Sequence, residues 1–373
     1  MGVPAGRGPR LLSFGVEEEF LLADTRTRSC VPRAQTVIAK AAGQLGERVR
    51  EEFFAAQFEI CTPPRVSAAD LREDLAEARR VAVSAAAGAD CLLVASGCAV
   101  LSAHPLAVVD EPRYHDIFQR IKPILDRTDG EISGCHVHLG TLERPEALAL
   151  ANRLRPWLPV FQAMTVNSPY AAAADRRHES WRSEQYALWP TVGPAPLLDE
   201  RSYERTADDL VASGRVVDRK AIYWYARPSE HLPTLEVRVM DVNADLRVTL
   251  LAAVLLRALG TVLLAEAHTG HPAPAITDAQ VLDAHRQAAR HGLRGQALDP
   301  VTGTRRPLRA CLDSLVARSL PGLEAAGDAE LAAELLDGLL TRGTGADQQR
   351  ADYSRRRSFA DVVDGLAART ART

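Results

Sequence analysis

Three consecutive glutamates lie inside a segment that otherwise has the composition of a buried β-strand. The segment 11–22 is mainly apolar, yet Glu17, Glu18 and Glu19 stand at its centre. Adjacent carboxylates repel one another and resist burial unless another charge compensates them. Alternate residues of a strand face opposite ways, so Glu17 and Glu19 share one face and Glu18 lies on the apolar one. A divalent cation is the simplest compensation for the first two, and the sequence offers no partner for Glu18.

Three further segments repeat this pattern of one polar and one apolar face. They are 57–63 with Glu59, 133–140 with His136 and His138, and 234–240 with Glu236 and Arg238. Such strands are typical of a sheet that packs one face on a core and leaves the other polar. Helical patterns fall between them, which predicts an α+β fold with a mainly antiparallel sheet.

The helical patterns have recognisable boundaries. Ser67 is placed to cap a helix over Ala68–Ala87, and Pro156 or Pro159 should bend a helix that follows the third strand. The helices predicted downstream of Ser67 cover 68–87, 146–165, 308–319, 329–341 and 348–368, with a joint at 320–322.

Composition narrows the class of protein. The net charge of −3 shows no basic excess, so nucleic acid is not expected as a partner. The apolar stretch 248–267 carries Arg257 and Glu266, which favours a buried core helix over a membrane span.

Six scattered cysteines without a CxxC pair indicate reduced thiols in a cytoplasmic protein. Residues 1–10 lack the apolar core of a signal peptide, and we expect a disordered leader before a single domain over 11–373.

The shared polar face predicts a metal centre. Mg²⁺ prefers carboxylate oxygens, and imidazole can join them for Mn²⁺. The expected ligands are Glu17, Glu19, Glu59, His136 and Glu236. A single glutamate of this kind is more often a solvated edge residue, but matching faces on several strands favour function. Zinc at His136 and His138 is less expected, because neither an HExxH motif nor a cysteine partner accompanies them.

Other catalytic signatures are absent from the sequence. It contains no GxSxG elbow and no phosphate-binding glycine loop. A nucleotide would therefore have to bind through metals and arginines, whose guanidinium groups suit phosphate and carboxylate. Arg238 shares a strand face with Glu236 and should point into the polar cleft. The further candidates are Arg182, Arg227, and the pair Arg286 and Arg290, which are spaced i, i+4 on a predicted helix.

Seven motifs in order resemble the carboxylate–amine ligase family, also called the glutamate–cysteine ligase type 2 family. They are Gly15-Val16-Glu17-Glu18-Glu19-Phe20, Glu59-x-x-Thr62-Pro63, Gly134-Cys135-His136-Val137-His138, the run from Trp181-Arg182-Ser183 through Trp189-Pro190-Thr191-Val192-Gly193-Pro194, Arg227-Pro228-Ser229, Thr234-Leu235-Glu236-Val237-Arg238-Val239 and Ala288-Ala289-Arg290-His291-Gly292-Leu293. The resemblance implies a glutamine-synthetase-like catalytic fold, in which a curved antiparallel sheet surrounds the active site and helices lie outside. It also implies ATP-dependent joining of a carboxylate to an amine: the γ-carboxylate of glutamate forms an acyl phosphate, which the amine then attacks.

The resemblance assigns roles to single residues. It makes the five expected ligands the holders of two or three Mg²⁺ ions, with Mn²⁺ as an alternative, and adds Glu52 as a weaker ligand candidate. Arg238 becomes a phosphate or transition-state contact, and Arg182 a contact to a substrate carboxylate or phosphate. Arg227, Arg286 and Arg290 remain candidates for binding ATP.

The sequence departs from the family at two places near the expected acceptor pocket. Tyr225 stands where many relatives carry an aspartate, and 170–178 is rich in alanine. These departures leave open whether the amine is cysteine or another amino acid or amine. The expected partners are small molecules, glutamate and an amine, with a homodimer possible by analogy. A guanidino kinase and a catalytically silent binding protein are the alternatives from other classes.

Overall fold

A seven-stranded antiparallel sheet contains all four of the predicted strand segments. In the computed structural model, which describes residues 10–102, 105–126 and 128–373, the strands are β1 Ser13–Asp24, β2 Val49–Glu51, β3 Gln57–Cys61, β4 Cys91–Val94, β5 Gly134–Gly140, β6 Tyr170–Ala171, β7 Ala174–Asp175, β8 Ala226–Pro228, β9 Thr234–Asp241, β10 Gln296–Leu298 and β11 Arg305–Pro307. The sheet has the order β2-β3-β1-β5-β9-β8, with β4 beside one end of β1. All of its pairs are antiparallel. The remaining four strands form two small hairpins.

Helices account for most of the rest of the chain. They are α1 Ala34–Leu45, α2 Ala68–Ala87, α3 Pro112–Leu125, α4 Arg144–Leu154, α5 Leu158–Thr165, α6 Trp181–Tyr186, α7 Glu200–Ala212, α8 Leu246–His268, α9 Asp278–His291, α10 Leu308–Ala326, α11 Ala329–Arg342, α12 Gly345–Arg356 and α13 Phe359–Thr370. The α+β class is therefore confirmed. The largest of three hydrophobic clusters among the described residues runs from Leu12 to Leu366, which supports the proposal of a single domain over 11–373. The expected leader lies outside the described residues except for Arg10, whose guanidinium is 3.2 Å from Glu146.

The apolar stretch of the sequence forms the central helix α8. By length and composition this helix could cross a membrane, but 89% of its most apolar window is buried inside the protein. Arg257 on this helix is itself buried and pairs with Asp328. The prediction of a core helix is confirmed.

Glu18 has a partner that the sequence did not reveal. Its carboxylate accepts two hydrogen bonds from the Arg79 guanidinium of α2, at 2.8 and 2.5 Å, and a third from Thr249 of α8 at 2.9 Å. Arg79 also donates to the backbone carbonyls of Asn243 and Ala244. Both charged side chains are almost fully buried. The middle acid of β1 therefore anchors the sheet to the helices behind it, while its two neighbours face the other way.

Two predicted helices are each interrupted in the structure. The helix expected over 146–165 is two helices, α4 and α5, because Pro156 lies in the break and Pro159 lies in the first turn of α5. The helix expected over 348–368 is divided between α12 and α13 at Arg357, whose φ of 54° is left-handed.

The predicted joint at 320–322 is wrong, since α10 continues through Pro321. Gly322 explains this: a Cβ there would lie 2.3 Å from the carbonyl oxygen of Ala258 in α8. Close packing between α10 and α8 therefore holds the helix together where local sequence favours a break.

A β-bulge in β9 changes which of its residues face the site. Cys135 pairs with Met240 but Val137 pairs with Val237, so β9 has one extra residue opposite His136. Simple alternation would have placed Met240 on the face of Glu236 and Arg238. The bulge turns Asp241 to that face instead, which is a common use of bulges near functional sites.

The Glu18–Arg79 pair gives a stability prediction. Glu18→Gln removes the negative charge and leaves a buried guanidinium uncompensated, so the free energy of unfolding should fall by about 3–5 kcal/mol. Urea denaturation measures this. As a control, Glu77→Gln makes the same change at a half-exposed position of α2 and should alter stability by less than about 0.5 kcal/mol. Equal, small losses in both variants would contradict the anchoring role of Glu18.

Candidate active site

The register of four strands brings the predicted ligands together on one face of the sheet. Glu19 lies opposite Glu59, Glu17 lies opposite His136, and His138 lies opposite Glu236. His136 Nδ1 is 3.2 Å from a Glu17 oxygen, and His136 Nε2 is 3.4 Å from a Glu19 oxygen. Among the described residues, three groups have donor atoms within 4.8 Å of one another: Glu17 with His136 and Glu236, Glu19 with Glu59 and His136, and Glu17 with Glu59 and Cys61.

The carboxyls of this face differ in their charge state. Burial raises the pKa of Glu59 well above its usual range, and the charges of Glu17 and Glu52 raise it further. Burial and the charge of Glu19 raise the pKa of Glu52 to about 8. Burial also acts to raise the pKa of Glu17, but its close contacts with His136 and His138 outweigh burial and hold that pKa well below its ordinary value. The face thus contains more acid than its histidines can compensate.

Glu236 is compensated by two arginines. Arg227 donates to its carboxylate at 2.9 Å, and Arg238 contacts the same carboxylate through Nη1. Burial acts to raise the pKa of Glu236, yet the two guanidinium charges bring it well below its usual range. Arg227 also donates to the carbonyls of Lys220 and Ile222 at 2.5 Å. Most of its donors are therefore engaged within the protein.

The acidic face forms one wall of a cleft of about 300 Å³. Glu52, Arg182, Arg227 and Arg238 line it, as expected. The structure adds side chains that sequence reasoning missed. They are the cations Arg50, Arg113 and Lys220, the imidazole of His231, and the aromatic side chains of Phe53, Tyr114, Tyr186, Trp189 and Tyr223. The aromatic side chains contact one another: the ring of Phe53 lies 5.9 Å from Tyr114 and 5.3 Å from Trp189. The cleft therefore combines an acidic metal-binding type of surface with cations and an apolar wall.

Asp241 fixes the backbone that carries Arg182 at the cleft. The Asp241 carboxylate accepts from the backbone N–H of Asn167 at 2.8 Å, and from the hydroxyls of Ser168 and Ser180 at 2.7 and 2.8 Å. Ser168 Oγ in turn accepts the backbone N–H of Arg182. The guanidinium stacks over Tyr186 and lies against the backbone at Gly134, where a Cβ would come within 2.3 Å of it. The segment 168–182 is fixed by this network.

Arg286 and Arg290 do not belong to the cleft. They share one face of α9 as predicted, but both are exposed to solvent and neither lines the cavity. The i, i+4 spacing determines a common face but not the direction in which that face points. The structure therefore places them apart from the other candidate site residues, and ATP binding by them stays a prediction.

The residues of the acidic face fit a divalent cation. The donors are carboxylate oxygens and an imidazole, the set that Mg²⁺ and Mn²⁺ accept. His136 Nε2 is buried without a hydrogen-bond partner among the described residues. Burial and the neighbouring carboxylates raise the pKa values of Glu52 and Glu59, so their charged forms are disfavoured unless a positive charge is added. A cation would satisfy both.

The fold is shared with solved ligase structures. A glutamate–cysteine ligase of Francisella tularensis, solved in complex with AMP, aligns with a TM-score of 0.69 over 98% of this chain and 90% of that chain, at 12% identity. A bifunctional glutathione synthetase of Pasteurella multocida aligns with a TM-score of 0.70 over 96% of this chain and 53% of that chain, at 15% identity. The fold is thus the glutamine-synthetase-like ligase fold, and it confirms the expected fold class.

Sequence comparison identifies the family. The model described as glutamate–cysteine ligase family 2 matches residues 13–365. Proteins provisionally named glutamate–cysteine ligase 2 from Salinispora arenicola and Salinispora tropica are each 40% identical over 373 residues, with 98% or more of both chains covered. The chain belongs to glutamate–cysteine ligase family 2, and it is an ATP-dependent ligase of the carboxylate–amine type.

A buried histidine behind Arg182 gives a pH-dependent prediction. His285 Nδ1 donates to Gln162, which donates to Ser183 beside Arg182. Burial, followed by the charge of Arg155, lowers the pKa of His285 to about 3. In the unfolded chain a histidine titrates near ~6.5, so the unfolded state binds more protons as the pH falls from there. Stability should therefore fall by about 1.4 kcal/mol per pH unit from this group between the two pKa values.

Denaturation at several pH values between pH 6.5 and 4 checks this. In His285→Asn, the slope of the free energy of unfolding against pH should be smaller than in wild type by about 1.4 kcal/mol per pH unit, the contribution of one proton. In His271→Asn, at an exposed site, this slope should equal that of wild type. A wild-type slope in His285→Asn would contradict the assignment.

Proposed function

We propose that this protein activates the γ-carboxylate of glutamate with ATP and joins it to the amino group of cysteine or of another amino acid or amine. The observation that carries the proposal is the cleft, in which an acidic face on four strands stands opposite several arginines. Phosphoryl transfer depends mainly on positioning and charge compensation, and this cleft offers both. The membership of the family supports the same reaction type.

The acidic residues of the cleft are the proposed ligands of the divalent cation. Glu17, Glu19, Glu59, His136 and Glu236 would hold Mg²⁺ or Mn²⁺, with Glu52 beside them. A bound cation supplies Lewis acidity and neutralises phosphate charge. Because Glu52 and Glu59 have raised pKa values, cation binding should release protons from this face.

The cationic residues of the cleft are the proposed contacts to phosphate and to the substrate carboxylate. Arg238 lies between the acidic face and the aromatic wall, with its guanidinium 5.7 Å from the ring centre of Tyr223. In this proposal it contacts the phosphate that is transferred. Arg182 is fixed by stacking and packing, which suits it to orient a substrate carboxylate. Arg113 and Lys220, both at the cleft, are additional phosphate contacts in this proposal.

The apolar wall supplies exclusion of water. An acyl phosphate is lost to hydrolysis unless solvent is kept away until the amine attacks. Phe53, Tyr114 and Trp189 form the packed aromatic surface that does this. Tyr225, where the sequence departs from many relatives, does not line the cleft but stacks on His285 at 4.6 Å. Tyr225 therefore does not contact the amine in this proposal, and the residues that line the cleft select it. An acceptor amine other than cysteine is the alternative that we keep.

The compartment proposed is the cytoplasm. All six cysteines, each within the described part of the chain, are free thiols. Such thiols persist in a reducing compartment.

A substrate panel tests the reaction. Purified protein with ATP, Mg²⁺ and glutamate should release phosphate only when a suitable amine is added, and an amide should appear in equal amount. Mass spectrometry of the product over cysteine, other amino acids and simple amines identifies the acceptor. A phosphorylated guanidino product without amide would favour a kinase, and no ADP with any amine would contradict the ligase proposal.

Substitution of one ligand tests the acidic face. Glu19→Gln keeps the size of the side chain but removes a charge at the centre of the expected ligands, so turnover should fall by at least about 100-fold with an unchanged circular dichroism spectrum. Glu47→Gln, at an exposed site near the sheet edge, is the matched control and should retain wild-type turnover. Wild-type turnover in Glu19→Gln would refute the metal assignment.

A further inference from the structure

A thiol lies at the edge of the acidic face. Cys61 ends β3, two residues after Glu59, and its cross-strand partner in β1 is Glu17. Its Sγ atom is 3.3 Å from Glu59 Oε1. The donor atoms of Glu17, Glu59 and Cys61 lie within 4.8 Å of one another. The arrangement therefore offers one sulfur and two carboxylates to a common point.

A buried imidazole faces the same carboxylate. His138 is 8% exposed, and its Nε2 lies 3.2 Å from Glu17 Oε1. That nitrogen makes no hydrogen bond of acceptable geometry with the described residues, although its contact with Glu17 helps to lower the pKa of that carboxyl, and Nδ1 is occupied by Thr234 at 2.9 Å. A buried ring nitrogen beside Glu17 whose hydrogen bonding is incomplete is a second sign of a site built for a cation.

The donor set selects a different cation from Mg²⁺. Mg²⁺ takes oxygen ligands in octahedral geometry, whereas Zn²⁺ and similar softer cations take thiolate, imidazole and carboxylate in tetrahedral geometry. A Zn–S bond is about 2.3 Å and a Zn–O bond about 2.0–2.2 Å, so the three donors need to move by only about 1 Å to share one ion. The sequence disfavoured zinc because the histidines had no cysteine partner, and the fold brings one to Glu17.

Cys61 is also the accessible thiol of the protein. Of the six cysteines, all of which the structure describes, five are buried and Cys61 is partly exposed. Cys61 is not among the residues that line the cleft, but its partial exposure opens it to a cation from solvent.

We propose that Glu17, Glu59 and Cys61 bind a thiophilic divalent cation such as Zn²⁺ or Cd²⁺, and that this ion excludes Mg²⁺ from the two shared carboxylates. The Cys61 thiol releases its proton to solvent as the sulfur–metal bond forms, and no oxidation or reduction is involved. The binding itself stands on the geometry alone. The inhibition that follows from it rests on the proposed ligase function.

Titration with Cd²⁺ tests the binding, without nucleotide or substrate and with Mg²⁺ in excess. The full-length wild-type protein should develop a saturable thiolate-to-Cd²⁺ charge-transfer band in the ultraviolet, which Cys61→Ser should lose. Competition with a chromophoric chelator should show that Cys61→Ser weakens Zn²⁺ binding at least about tenfold. Cys135→Ser, on the opposite face of the sheet, is the control and should keep the band. No band in the wild type, or an equal band in Cys61→Ser, would overturn the proposal.

A measurement on the wild-type protein alone guards against misfolding of the variant. Zn²⁺ should slow alkylation of Cys61 by N-ethylmaleimide, located by peptide mass spectrometry, and Mg²⁺ at the same concentration should not. Equal rates with the two ions would overturn the proposal.

Activity provides the last arm. Zn²⁺ should inhibit the wild-type ligase at a concentration at least about tenfold lower than it inhibits Cys61→Ser. Equal inhibition of wild type and Cys61→Ser would overturn the claim that an ion bound at Cys61 inhibits the ligase. If no ligase activity is found with any amine, the proposed function fails, while the Cd²⁺ and alkylation results still decide the binding site.

Discussion

Charge compensation across strand β1 is the constraint on which the rest of the structure depends. Its three adjacent acids are tolerable only because alternation divides them. Glu18 faces the helices and is neutralised by the buried Arg79, while Glu17 and Glu19 face the cleft with His136 between them. A shift of one residue in register would place two acids in the core. The same ion pair that stabilises the sheet therefore also fixes the direction of the acidic face.

A second constraint comes from the bulge in β9. It turns Asp241 toward the cleft side, where it gathers the backbone and hydroxyl groups of the segment 167–182 beneath Arg182. The cleft is thus built from a rigid sheet on one side and a loop fixed to that sheet on the other. Preorganisation of this kind suits a reaction that depends on positioning and electrostatic complementarity.

Much of the acidic face could be predicted from sequence, because a period of two determines which residues share a strand face. This placed Glu17, Glu19, Glu59, His136 and Glu236 together. What escaped depends on distant or irregular geometry. Arg79 is 61 residues from Glu18, and nothing local links them. Asp241 escaped because the bulge breaks the alternation that sequence reasoning assumes. Helical spacing put Arg286 and Arg290 on one face of α9, but it does not reveal where that face points, and both lie outside the cleft.

The central claim is that the polar face of this sheet is a metal centre. Titration with Mn²⁺, with the free ion measured by electron paramagnetic resonance, tests it without any assumption about substrates. The account predicts that wild type and Glu47→Gln bind Mn²⁺ alike, and that Glu19→Gln binds fewer ions or binds them at least about tenfold more weakly. Identical binding curves for wild type and Glu19→Gln would contradict it.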